Sequence, residues 1–213
     1  MPRKAGRPPE QTRRILLDAA ATVIRNRGIT ATLDDIAREA GVSKGGLIYH
    51  FASKDELILA LATDLLDAFR KAVHAALSPD DQTAGRLTRA YIHACLDPTD
   101  DEHTIRESLT LTAHLITSPE VAALAHDDAR RWQAELDADG LPADLVTLVV
   151  AAADGASYTP IWGGSIHTAA HQRLKHQLIA LTHDPTAWKL VGQHRTAAPA
   201  DSAGTRMPGH RQD

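Results

Sequence analysis

Apolar positions recur along this chain at helical spacing almost from its start. Ile15, Leu16, Ala19, Ala20, Val23 and Ile24 form one stripe with a period near 3.6. They predict a first helix that opens at Pro9, behind a second proline, and closes at Gly28. Arg25 and Arg27 fall near its C-terminal end, where the helix dipole favours cations. Thr32 is placed to cap a short second helix through Ala40, with Asp34 and Asp35 in its first turn. Gly41 breaks that helix, and Ser43 caps a third that runs to about Phe51. Ser53 and Glu56 have the spacing of a capping box for a long fourth helix, Lys54 to Leu77, which ends at the Ser-Pro-Asp-Asp of residues 78–81.

Further helical segments are expected over 82–96, 102–117, 119–138, 142–162 and 167–183, with Pro- and Gly-containing breaks between them. From Gly192 onward periodicity is lost, and the composition is that of a disordered tail, 192–213. Strand signals are almost absent and no internal repeat is visible, so the expected fold class is all-α. Two segments stand apart. Residues 144–158 are apolar around nearly the whole helical circumference, which implies burial on more than one side. There Gly155, Ala156 and Ser157 would permit close helix approach. Residues 169–181 place Ala170, Leu174, Leu178 and Leu181 on one face. Such a pair can supply half of an intersubunit four-helix bundle or pack within its own chain; patterning does not separate the two.

Composition narrows the setting. The 213 residues suffice for a sizeable core, and 43% are apolar but only 4% aromatic, as helix formers dominate. No apolar run approaches the roughly 18 residues that suggest a membrane span. A single cysteine, Cys95, excludes an internal disulfide and suits a reducing compartment, so a cytoplasmic location is expected. Charge is unevenly placed: residues 1–54 hold 10 Lys/Arg against 5 Asp/Glu, while the remainder holds 13 against 22. A basic front on an acidic body is the pattern of a segment that meets a polyanion, or of chance imbalance between solvated faces.

The chemistry-bearing segment is DDIAREAGVSKGGLIYHFASKDE, residues 34–56. Residues 33–40 and 43–51, joined by Gly41 and Val42, make a helix-turn-helix unit, with small Ala37 where the helices cross. Ile36, Val42, Leu47 and Phe51 are spaced as its core, which leaves Ser43, Lys44, Gly45, Gly46, Tyr49 and His50 toward the outside or the rim. Each of two adjacent glycines costs about 1 kcal/mol relative to Ala inside a helix. A helix start stripped of side chains gains close approach to DNA and presents backbone N–H groups to phosphate; the competing account is a turn whose glycines only relieve packing.

The stretch GITATLDDIAREAGVSKGGLIYHFASKDELILAL closely resembles the DNA-binding region of the TetR family of bacterial transcription regulators. The resemblance covers about 45 residues in register and combines T-x-x-D-I-A, A-G-V-S, G-x-x-Y-H-F and S-K-x-E-L; beyond about residue 60 it extends only to length and helical character. It implies a basic arm (1–8), a helix-turn-helix head (9–55) and a helical ligand-binding and dimerisation body (56–191). It implies phosphate contacts from Thr32 and Lys54, backbone contacts from Tyr49 and His50, Ser43 and Lys44 at the start of the recognition helix, and Gly45 and Gly46 against the major groove. One position departs: where the family commonly has an aromatic, Ile48 stands, suited to a thymine methyl or to packing on the protein. Arg3, Lys4 and Arg7 of the arm would enter a minor groove or attract DNA without fixed geometry.

The resemblance therefore implies a homodimeric regulator, most simply a repressor, on a palindromic double-stranded operator, released by a small organic effector. The alternatives are an activator, an effector-independent architectural DNA-binding protein, or an enzyme or carrier that keeps a vestigial head. Phe69, Tyr91, His114, Trp132, Tyr158 and Trp162 are the candidate lining of an effector pocket. His167, His171 and His176 share a helix but lack the Cys or carboxylate partners that complete a metal site, so no metal and no cofactor are expected. No nucleophile elbow, phosphate loop or HExxH is present, which argues against an enzyme.

Overall fold

A computed structural model describes residues 8–97 and 101–192. Arg3, Lys4, Arg7 and the tail beyond Gly192 lie outside the described residues. All regular structure within them is helical, as expected: α1 (Pro9–Arg27), a 3₁₀ turn (Gly28–Thr30), α2 (Leu33–Glu39), α3 (Lys44–His50), α4 (Lys54–Ala75), α5 (Arg86–Leu96), α6 (Glu102–Leu115), α7 (Pro119–Asp137), α8 (Ala143–Ser157), a second 3₁₀ turn (Thr159–Trp162), α9 (Ala169–His183) and α10 (Pro185–Gly192).

Two hydrophobic cores are strung on α4. The first joins Leu16, Ala20 and Ile24 of α1, Ile36 of α2, Leu47 of α3 and Phe51 with Leu57 and Leu61 from the start of α4. It also draws in Leu111 and Leu115 of α6 and Val121 of α7, so the head's core extends well past residue 55. The second packs Val73 at the far end of α4 against α5, α7, α8 and α9. Full burial of each such Leu, Ile or Phe contributes about 1.5–3 kcal/mol. Because one helix runs through both cores, head and body cannot shift independently of α4.

Several helix boundaries differ from the pattern-based expectation, each for a local reason. The helix expected from residue 82 begins at Arg86, because Gly85 sits at φ 85° and its amide donates to the Asp139 carbonyl at 2.8 Å. The Asp139 carboxylate then caps α5, accepting from the amides of Leu87 and Thr88 at 3.0 and 2.7 Å. That cap comes from a remote segment and has no local sequence signature. The helix expected through residue 162 stops at Ser157; Pro160 allows only the 3₁₀ turn that follows, and Gly163 at φ 80° ends it. Helix α10 lies outside the expected elements. Its signal is the Asp-Pro-Thr at 184–186: Asp184 accepts from the Thr186 amide at 2.8 Å, and the Trp188 indole donates to the Leu181 carbonyl.

At the start of α4, Ser53 accepts from the Glu56 amide at 3.1 Å, yet the Glu56 carboxylate reaches the amide of Ala52 rather than that of Ser53. The reciprocal capping box forms instead at α2, between Thr32 and Asp35.

Candidate nucleic-acid interface

The turn between α2 and α3 explains its own sequence. The Val42 amide reaches back to the Ala37 carbonyl at 3.0 Å, and Gly41 between them takes φ 65°. This is a glycine-dependent helix ending that places the next residue for a new start. Ser43 supplies that start by accepting from the Gly46 amide at 3.1 Å. Leu47 and Phe51, one turn apart, are both 0% exposed, and the Arg13 guanidinium lies 4.3 Å from the centre of the Phe51 ring. Helix α3 is thus fixed along its inner side.

Its outer side carries Lys44, Gly45, Ile48 and Tyr49, with His50 half-buried beside them. Tyr49 is 81% exposed and meets His50 edge to face. The adjacent glycines have separate tasks. A Cβ on Gly46 would lie 3.3 Å from the capping Ser43 hydroxyl, whereas a Cβ on Gly45 meets nothing within 4 Å. Only the second glycine is crowded by the chain's own packing; the first leaves a bare exposed patch.

The remaining interface candidates are placed differently from one another. Lys44 pairs with Asp34 at 2.8 Å, both groups largely exposed, and a pair of that kind contributes little and exchanges readily. Thr32 donates its hydroxyl to Asp35 at 2.7 Å and accepts the Asp35 amide at 3.2 Å, so that side chain is committed to the cap. The same hydroxyl and the Thr32 amide, with Arg27 beside them, hold the Asp35 carboxyl at about 2, below the usual carboxylate range. Lys54, assigned by resemblance to a phosphate, has its ammonium on the Ile29 carbonyl and ties the first 3₁₀ turn to α4.

In the body, four of the six pocket candidates gather. Phe69, Tyr91 and Trp132 stack edge to face with ring centres 5.3–5.9 Å apart. Arg70 lies 4.1 Å over Trp132 and is held by Asp128 and Glu135. The Tyr91 hydroxyl donates to Asp154 at 2.8 Å, with the Cys95 thiol 3.8 Å from the same carboxylate oxygen. Burial raises the Asp154 carboxyl above its ordinary range; it raises Tyr91, Cys95 and Tyr158 as well, and there the Asp154 charge adds to the effect. The Trp132 indole N–H is buried with no acceptor, a lapse that costs about 1–3 kcal/mol in a closed core.

The other two candidates lie elsewhere. His114 belongs to the head–body junction, where a Cβ on Gly28 would meet its ring at 3.6 Å, and Trp162 is 85% exposed on the turn after α8. Sequence reasoning missed Asp154 and Arg70; the available signal was a lone acid inside the apolar run of α8. The three histidines hold no metal-like grouping among the described residues, and His171 bonds to Thr168 and the Ala156 carbonyl.

On α8, Leu145, Val146, Val149 and Ala153 face the core. Leu148, Ala151 and Gly155 remain exposed at steps of three and four residues along α8, and Tyr158 at its C-cap and Trp162 on the following turn are exposed as well. On α9 the expected apolar face turns inward, with Leu178 buried and Leu174 and Leu181 against the body core. Of these two helices, α8 is the one that keeps large apolar side chains exposed, together with the turn after it.

A capped helix-turn-helix on an all-helical body defines a class, the DNA-binding regulators with an N-terminal reading head. Family comparison agrees segment by segment: residues 16–61 match the model for bacterial regulatory proteins of the tetR family, and residues 85–183 match a tetracyclin repressor-like C-terminal domain. The chain belongs to the TetR family.

Among curated relatives, it is 44% identical over 62 residues to the transcriptional regulator SrpR of Pseudomonas putida, covering 29% of each chain. It is 35% identical over 88 residues to the transcriptional repressor KstR2 of Mycolicibacterium smegmatis, covering 39% of this chain and 43% of that one. It is 39% identical over 124 residues to the transcriptional activator FasR of the same species, covering 57% and 55%. These matches thus span less than two thirds of the relatives' own lengths. Among solved structures, a putative regulator from Pseudomonas aeruginosa superposes with TM-score 0.69 at 16% identity over 88% of this chain and 96% of that one. The multidrug binding protein EbrR, complexed with malachite green, does so with TM-score 0.61 at 24% identity over 79% and 96%. At these identities the structures establish the fold. No helix among the described residues is long and apolar enough to cross a membrane.

Proposed function

We propose that the chain is a homodimeric transcriptional repressor that seats α3 in successive major grooves of a palindromic operator and leaves it when a small organic effector occupies the body. The observation that carries this reading is the outer side of α3: a bare Gly45, an exposed Lys44 cation and exposed Ile48 and Tyr49, all on a helix whose inner side is fully packed. Such a surface offers close backbone approach, a phosphate or base partner, a methyl contact and a hydroxyl.

The outer side of α8 supports pairing of two copies, since Leu148 on it and Trp162 on the turn after it are both exposed. Two-fold pairing would set the half-site centres one helical turn apart, about 34–36 Å. The effector reading is supported by the position of Phe69 on α4: a molecule that pushes on this ring pushes on the helix whose first turns carry Leu57 and Leu61 in the head's core. A salt bridge from Arg14 of α1 to Asp64 of α4 and a looser one from Arg25 to Glu107 of α6 line the same seam. EbrR with its dye is an instance of a ligand bound within a similar fold. An effector moves the equilibrium only by its difference in affinity for the two head spacings.

The test is selection of bound genomic fragments by the purified chain, followed by footprinting. Two protected half-sites related by a two-fold axis and overlapping a promoter are expected. A single unrepeated footprint, or one upstream of the promoter with transcription lost in a deletion strain, would replace the repressor reading by a monomeric or activating one.

A further inference from the structure

We infer that the effector is a lipophilic cation, an amine or quaternary onium carrying aromatic or branched apolar groups, held by Asp154 within the Phe69–Tyr91–Trp132–Tyr158 ring cluster. The inference rests on the effector reading and gives its ligand a chemical class.

The argument starts from what Asp154 lacks. Asp154 is half-buried, and a carboxylate partly withdrawn from water gains from a cation partner. Asp154 receives only a phenol and a thiol, from Tyr91 and Cys95, and no basic side chain among the described residues pairs with it. Both donors reach one carboxylate oxygen, Oδ1; no donor among the described residues takes the other. The surroundings select the missing partner by sign. Among the described residues Arg70 is the cation paired in this cluster, against the carboxylates of Asp128, Glu135 and Asp154, and it is already shared between the first two. An anionic ligand would therefore meet an excess of negative charge.

The walls select the rest. Aromatic faces attract a cation that has shed its water, most strongly those of Trp and Tyr. This cluster already does so once, with the Arg70 guanidinium 4.1 Å over Trp132. Tyr158, 44% exposed, gives the carboxylate an aromatic neighbour at the solvent edge. The unpartnered Trp132 N–H is an independent sign that the packing is incomplete without a further group: a nine-tenths buried donor awaits an acceptor that no side chain supplies. A ligand with an onium centre and an ether, carbonyl or similar acceptor would serve both. Entry of such a group parts α5 from α8 and pushes the Phe69 ring, hence α4.

Tetraphenylphosphonium and tetraphenylborate are nearly the same size and shape with opposite charge, which makes them a direct probe. Calorimetric titration of the full chain is expected to show binding of the phosphonium and none of the borate. Asp154→Asn, which keeps size and removes the charge, should weaken phosphonium binding at least tenfold while circular dichroism shows unchanged helicity. Equal affinity for both ions, no phosphonium binding up to millimolar concentration, or full affinity in Asp154→Asn each overturn the inference; should the variant not fold, the wild-type comparison of the two ions decides alone. Release of footprinted DNA is read separately. If the phosphonium binds through Asp154 but leaves DNA affinity unchanged, the cation site stands and its regulatory role falls. If another compound releases DNA with Asp154 replaced, the repressor reading stands and this inference falls.

Discussion

The head and the body of this protein solve the same problem, burial of amphipathic helices, with opposite economies of polar groups. In the head the helix starts are closed from within a few residues: Thr32 with Asp35, Ser43 with Gly46, Ser53 with Glu56. In the body α6 and α9 are capped locally as well, by Asp101 and Thr168, but several other partners are far apart in sequence. Asp139 caps α5 across 52 residues, Tyr91 reaches Asp154 across 63, and the Trp132 indole N–H finds no acceptor. A surface that must present fixed distances to a rigid duplex benefits from local closure. The body holds together by bringing distant segments to one place, which leaves the Trp132 indole N–H without an acceptor.

The largest expected effect tests the closure of the head. Phe51→Ala removes a ring that is 0% exposed and carries Arg13 on its face, and should cost about 3–5 kcal/mol. Thermal unfolding followed by circular dichroism should show loss of the head's transition, and operator binding should disappear with it. A loss below about 1 kcal/mol would mean that the head's core tolerates a void, contrary to its tight local closure.

Next in size is Gly45→Leu, which separates the exposed patch from the fold beneath it. Because a Cβ at this position meets nothing within 4 Å, the melting temperature should hold. Affinity for the selected operator should fall on the order of 100-fold, equivalent to about 2.7 kcal/mol. Gly46 is the poorer choice for this test, since any side chain there presses on the Ser43 cap. Normal operator binding by the Gly45→Leu variant would end the close-approach account of α3.

Gly41→Ala probes the turn itself. A left-handed φ of 65° strains any residue with a Cβ by about 1–2 kcal/mol. Denaturant unfolding should shift by that amount in the variant, with no loss of DNA affinity once it is folded.

These contrasts also explain what the sequence disclosed. The head was legible because its instructions are short-range: a capping residue, a breaker and an i, i+4 apolar pair such as Leu47 and Phe51 lie within one reading window. The body's helices were legible from their periodicity, but not the start of α5, whose cap is supplied from residue 139, nor the grouping of the aromatic residues. Tyr91 and Trp132 look no different in sequence from His114 and Trp162; only the folded chain brings the first two together and sends the others to the junction and the surface. Asp154 carried its signal in plain sight, as an acid inside an apolar run, yet its partners Tyr91 and Cys95 come from a helix about 60 residues away.

The finest distinction lies within the interface, between two lysines that resemblance alone treats alike. Lys44 holds Asp34 through an exposed pair and gives up little by turning to a phosphate. Lys54 is half-buried with its ammonium on the Ile29 carbonyl, so moving it to DNA would unfasten the 3₁₀ turn from α4. Each cation that neutralises a phosphate steepens the salt dependence of binding by nearly one logarithmic unit. Lys44→Ala should accordingly lower the slope by about one with no change in melting temperature. Lys54→Ala should do the reverse, lowering the melting temperature and leaving the slope alone. A lowered slope in the second variant would show that the ammonium leaves its carbonyl for the duplex, and that the head reorganises at α4 when it binds.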